Sequence, residues 1–233
     1  MQKVICFVIL AFAMAAKALT PAERNETIEN FANMRSVVEP EASNMQMLRY
    51  SAEFEKLAED WVDDCLMGTK IWDTLPEYRG LGRSFAINFY EQQSPADMVY
   101  RFSNEMFNYD YEANTCSEIC GNYTQVIWAT SNAVGCAIKL CPNIRSESGD
   151  PAYLMAYQYK PACNMPGEKP YLPGPACSKC PQTSECRLKQ CVVSSDLDVA
   201  LQAEGKQATT LATVKIEVFQ IVIFSAAVIL SFV

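Results

Sequence analysis

Eleven cysteines and no histidine set the chemistry open to this 233-residue chain. Histidine is the commonest general base and a frequent metal ligand. Without it, a serine or cysteine nucleophile lacks its usual activating partner, so a hydrolase of that kind is not expected. Cys177-x-x-Cys180 has the spacing of a zinc ligand pair. In an oxidising compartment, cysteines at such spacing go into disulfides instead. Cys6 falls in an N-terminal leader, which leaves Cys65, Cys116, Cys120, Cys136, Cys141, Cys163, Cys177, Cys180, Cys186 and Cys191. An even number in a secreted chain predicts that all of them are bridged.

The two ends of the chain place it in the secretory pathway. Residues 1–18 read as a signal peptide, with Lys3, an apolar run from Val4, and Ala16-Lys17-Ala18 as the cleavage site. Val218 to Val233 is apolar apart from Gln220, Ser225 and Ser231, and no basic flank follows. That run is shorter than the ~20 residues of a spanning helix. After a polar stalk at 194–217, it fits a cleaved lipid-anchor (GPI) signal better than a short membrane anchor. The net charge of −8 and the absence of a basic cluster exclude nucleic acid as a partner.

Between these ends, three helices are expected first. Thr20-Pro21-Ala22-Glu23 is a capping box with proline at the first helical position, ahead of Ile28, Phe31, Ala32 and Arg35 at helical spacing. Ser51 caps a second helix carrying Phe54, Leu57, Ala58, Trp61, Val62 and Cys65 on one face. Ser94-Pro95-Ala96-Asp97 opens a third, which places Met98, Phe102, Glu105, Met106 and Tyr109 along one side. Three β-prone runs follow at Tyr123 to Ala129, Val134 to Leu140 and Tyr153 to Tyr159. Helices followed by strands predict an α+β domain at 19–160. Residues 161–193 change composition to a Pro- and Cys-rich hinge, whose small size demands covalent staples.

The stretch Gly121-Asn122-Tyr123-Thr124-Gln125-Val126-Ile127-Trp128 resembles the signature of the CAP superfamily, the cysteine-rich secretory, antigen 5 and pathogenesis-related proteins. Ala42-Ser43-Asn44-Met45, Leu57-Ala58-x-x-Trp61, Pro161-Ala162-Cys163-Asn164 and Gly174-Pro175-x-Cys177-Ser178-x-Cys180-Pro181 extend the resemblance over residues 22–191, in a pattern similar to glioma pathogenesis-related and venom-allergen-like proteins. It implies a three-layer α-β-α sandwich and hinge bridges Cys177–Cys186 and Cys180–Cys191. It also implies a cleft built in the family from two histidines and two glutamates, which fall here on Thr69, Arg83, Glu105 and Asn122. One of the four residue types survives, so no metal and no cofactor is expected there.

Two sequons, Asn25-Glu26-Thr27 and Asn122-Tyr123-Thr124, are candidate glycosylation sites. Asn25 is the expected acceptor, while Asn122, expected to start a strand facing the cleft, is expected unmodified. Some CAP proteins bind sterols through an aromatic loop ahead of the signature. Phe107, Tyr109 and Tyr111 occupy that place, and the alternative is that these rings simply pack the end of the third helix. The leading expectation is a non-catalytic, secreted or surface-tethered interaction module with an extracellular protein partner. Sterol or lipid carriage is the alternative.

Overall fold

The computed structural model describes residues 19–65, 74–89, 91–142, 144 and 151–193. The expected signal peptide, Thr69, the expected stalk and the apolar C-terminal tail lie outside the described residues. Among the described residues, no helix is long and apolar enough to cross a membrane. The chain divides into two units, Met1–Pro181 with Cys186–Cys191, and Gln182–Glu185 with Val192–Val233. The second is described only at 182–185 and 192–193.

Local capping starts each long helix. α1 (Pro21–Ser36) begins at Thr20, whose hydroxyl accepts the Glu23 N–H while Glu23 reaches back to the Thr20 N–H at 2.7 Å. α2 (Ala52–Asp63) starts where Ser51 accepts the Phe54 N–H, and α3 (Pro95–Ser103) where Ser94 accepts the Asp97 N–H. The four-stranded sheet runs in the order β1 (Arg49–Tyr50), β5 (Ala133–Cys141), β6 (Ala152–Lys160), β2 (Gly82–Asn88). In this sheet only the β1–β5 pair is parallel, and a separate antiparallel ladder joins β3 (Tyr109–Asp110) to β4 (Thr115–Cys116).

Strand alternation sends residues to two helical layers. On one face α2 buries Ala58, Trp61 and Val62 with Ala137, Leu154 and Ala156. Gly135 permits this approach, because a Cβ there would lie 2.6 Å from the Ser51 carbonyl and overlap the α2 backbone. On the other face, Phe31 of α1 meets Tyr157 and Tyr159 edge-on, at 6.0 and 5.8 Å, and Phe102 of α3 meets Tyr157 at 5.6 Å. The result is the three-layer α-β-α arrangement.

Three sequence-based expectations are corrected. Residues 123–129 form no strand; Gly121–Val126 is a short helix, α4. β-Prone residues become helical there because the segment is buried and its first N–H groups find acceptors off the sheet. β2 was not anticipated, and it places a strand among the helices. The third helix ends at Ser103, and Asn104–Asn108 continues as a 3-10 helix.

The hinge carries β7 (Ser184–Arg187) and β8 (Gln190–Val193). Within the first unit, Cys191 N–H donates to Met45 O at 2.7 Å, Met47 N–H to Cys191 O at 2.9 Å, and Lys179 N–H to Ser43 O at 2.9 Å. The Gln190 amide donates to Ala32 O at 2.9 Å, which ties the knot to α1 as well.

Candidate functional site

Glu105 sits on the Asn104–Asn108 turn, opposite the start of α4. Its Oε2 accepts the backbone N–H groups of Asn122 at 2.9 Å and Tyr123 at 3.1 Å. Its Oε1 accepts the Asn122 side-chain amide at 2.7 Å. Three donors converge on one carboxylate, which acts as a remote cap for the helix and satisfies N–H groups that have no intrahelical acceptor. The Asn122 nitrogen facing it has no lone pair to offer a cation.

Arg83 does not join this pair, which corrects its assignment to the cleft. It lies on β2 with its guanidinium 5.1 Å from the Trp61 ring and 5.6 Å from the Tyr78 ring. Phe85, two residues on, meets Trp61 at 5.5 Å, so both project toward the α2 layer. Gly82, of opposite parity, faces Gln125 of α4. Of the four positions, the structure brings Glu105 and Asn122 together, turns Arg83 to the other face, and leaves Thr69 outside the described residues.

Residues missed from the sequence complete the surroundings. The Thr124 hydroxyl donates to Asn164 Oδ1 at 2.8 Å, and the Asn164 amide donates to Gly121 O at 2.9 Å. The Cys163 thiol donates to Gln125 Oε1. Gly82 allows that contact, since a Cβ there would lie 2.5 Å from Gln125 Oε1. At the far end of α4, buried Arg35 donates to Val126 O at 2.9 Å, Ser131 O at 3.0 Å and Gln46 O at 2.7 Å. Burial lowers its pKa to about 9, which leaves it charged at neutral pH. Its helical spacing with Phe31 and Ala32 was the available signal.

Expected full pairing of the cysteines is also corrected. The bridges are Cys65–Cys141, Cys116–Cys120, Cys177–Cys186 and Cys180–Cys191. Cys136 and Cys163 are free thiols. Cys136 is buried in β5 against the Tyr50 hydroxyl, 3.7 Å away, while Cys163 is turned to Gln125. Desolvation pushes the Cys136 thiol up to about 12 and the Cys163 thiol up to about 11. Both stay protonated and poorly nucleophilic at physiological pH.

The aromatic loop divides in two. Tyr111 is 6% exposed, stacks on Tyr171 at 4.7 Å and donates its hydroxyl to Tyr171 O at 2.9 Å. Tyr109 donates to Asn114 Oδ1 at 2.8 Å, and its ring lies 6.4 Å from Tyr111 and 6.2 Å from Tyr123. Phe107 stands in solvent. Of the two sequon asparagines, Asn25 is exposed on α1, whereas Asn122 is half-buried and committed to Glu105.

Comparison with known proteins agrees with this geometry. Residues 16–158 match the CAP, or cysteine-rich secretory protein, family. Mouse GLIPR1-like protein 1 is 36% identical over 154 residues, 64% of this chain and 64% of that protein. Human cysteine-rich secretory protein LCCL domain-containing 1 is 32% identical over 189 residues, 75% of this chain and 37% of that protein. The chain therefore spans under two thirds of the length of each of these two relatives. Among solved structures, Na-ASP-1 superposes with a TM-score of 0.61 at 21% identity, over 76% of this chain and 48% of that one. NaASP2, solved with Zn2+, superposes with a TM-score of 0.56 at 22% identity, over 77% and 97%. With a three-layer sandwich, a stapled hinge and the signature segment packed against Glu105, the chain belongs to the cysteine-rich secretory protein (CAP) family.

Proposed function

We propose that this protein is a non-catalytic extracellular interaction module, secreted or tethered at the cell surface. The observation that carries the reading is the engagement of Glu105 by three donors of α4. A carboxylate that holds three N–H groups at a helix start is occupied as a structural acceptor. The donor set fits no transition metal: the chain has no histidine. Among the described residues, no cluster of three or more Cys, Asp or Glu could hold an ion. The same set offers no paired groups for general acid–base catalysis. What remains is a disulfide-stapled scaffold, suited to presenting a face to partners outside the cell.

The sterol reading requires Tyr109 and Tyr111 to receive a ligand, and their rings and hydroxyls are engaged with Tyr171, Tyr123 and Asn114. The test is a multivalent display of the full chain against an array of extracellular ectodomains, run beside labelled cholesterol and beside Zn2+ titration. Saturable capture of an ectodomain, unchanged by Zn2+ and cholesterol, is the expected result. Saturable cholesterol binding lost in a Tyr109→Ala/Tyr111→Ala variant overturns the reading in favour of lipid carriage. Stoichiometric Zn2+ binding overturns the account of the Glu105 site.

A further inference from the structure

The segment 104–120 exposes large apolar side chains that the fold does not use. Phe107 is 83% and Ile119 78% exposed, and neighbouring Met106 is 39% exposed. These residues are held in place. The Cys116–Cys120 bridge closes the loop, and Tyr109–Asp110 pairs with Thr115–Cys116 as a short ladder. Asn108 Nδ2 donates to Ile119 O at 3.1 Å, and Ser117 N–H donates to Asn108 O at 2.8 Å. The backbone beside Phe107 is thereby fixed alongside the backbone of Ile119. Two large apolar side chains thus stand in solvent on neighbouring, hydrogen-bonded stretches of one disulfide-closed loop, where a partner could cover both.

The segment's own charged residues have one sign. The segment contains Glu105, Asp110, Glu112 and Glu118 and no lysine or arginine. Glu105 is consumed by α4, and the other three are exposed. Lys169, 3.8 Å from Glu112 and 4.4 Å from the Tyr111 ring centroid, offsets part of that charge at Glu112 and leaves the Asp110 and Glu118 charges in the segment. The chain as a whole carries −8.

We propose that Phe107 and Ile119 form an apolar tip that docks into a pocket rimmed by lysine and arginine on an extracellular protein. This inference rests on the interaction-module reading and names its surface. Charge complementarity selects the occupant: the acidic rim suits a basic surface and is repelled by anionic lipid. A two-fold pairing of tips would set the same carboxylates against each other. Insertion of the two side chains sets the dissociation rate, and the carboxylates set the association rate and its salt dependence.

The probe is an amphipathic helical peptide with a leucine face flanked by lysines, beside its counterpart with glutamates. The full chain is expected to bind the lysine peptide saturably and to ignore the glutamate peptide. Phe107→Asp and Ile119→Asp each weaken binding by about tenfold or more. An Asp110→Asn/Glu112→Gln/Glu118→Gln variant loses the salt dependence while retaining residual affinity. Near-UV circular dichroism confirms that these surface variants remain folded.

The proposal is overturned if neither peptide binds, or if both tip variants bind like the wild type. It is equally overturned if phosphatidylcholine vesicles, or a second copy of the chain, show the Phe107-dependent binding instead. The ectodomain array separates this failure from failure of the parent reading. A partner captured equally by the wild type and Phe107→Asp keeps the interaction module and removes this surface.

Discussion

Replacing Glu105 with alanine tests whether the carboxylate is a structural cap. The substitution removes one acceptor from the Tyr123 N–H at 3.1 Å and two from Asn122, at 2.9 Å from its backbone and 2.7 Å from its amide. Hydrogen bonds to a charged group contribute roughly 1.5–3 kcal/mol each when buried, and less where water can replace the lost partner. Glu105 and Asn122 are half-buried, so rehydration recovers part of the loss. The three bonds also share one carboxylate and do not add independently. The expected destabilisation is about 1.5–2.5 kcal/mol in total. For a domain of this size that lowers Tm by roughly 3–10 °C. Urea denaturation with disulfides intact reads the free energy, and a double-mutant cycle with Asn122→Ala separates the side-chain bond from the two backbone bonds. A loss below about 0.5 kcal/mol, the range of an ordinary surface substitution, refutes the capping role.

Further outcomes follow from the same contacts. Asn122→His alone creates no stoichiometric zinc site in calorimetric titration, because Arg83 is stacked on Trp61 and Glu105 stays engaged with α4. Gly135→Ala destabilises more than Gly82→Ala in urea melts, with overpacking of about 1–3 kcal/mol at Gly82 and a larger loss at Gly135. The reason is that the Gly135 Cβ meets α2 backbone, whereas the Gly82 Cβ meets side-chain ends that can shift. Cys136 and Cys163 resist iodoacetamide in the native state at pH 8 and react after denaturation, as mass spectrometry will read. Folding raises the Cys163 thiol from 9.0 to about 11, so the folded state holds the proton longer. Stability from this group is therefore complete below pH 9 and lost as pH rises toward 11. Cys163→Ser removes that alkaline dependence. Glycopeptide mapping finds sugar on Asn25 and none on Asn122, whose amide is already donated to Glu105.

What could be read in advance was local chemistry. Thr20 with Glu23, Ser51 and Ser94 each cap a helix within three residues of sequence, so the helix starts were visible. β5 and β6 were visible because their apolar runs are buried on both faces. β2 was missed because Arg83 is stacked on aromatics and Ser84 is buried, which breaks the apolar–polar alternation a half-buried strand displays. α4 was misread because its cap is Glu105, 17 positions away, while its own residues favour a strand. Counting cysteines predicted full pairing, since parity carries no geometry. The structure buries Cys136 beside Tyr50 and turns Cys163 toward Gln125.

One short turn links the scaffold to the surface proposed for recognition. Glu105 and Phe107 are two residues apart on Asn104–Asn108, and they do opposite things: one is spent on α4, the other stands in water. The cap at Glu105 and the Asn108 bonds to the 117–119 backbone pin both sides of Phe107. A backbone held on both sides of Phe107 loses little further freedom on docking, which favours affinity through preorganisation. The carboxylate therefore keeps a purpose without imidazole neighbours. It anchors the turn that carries Phe107, through its bonds to the first N–H groups of α4.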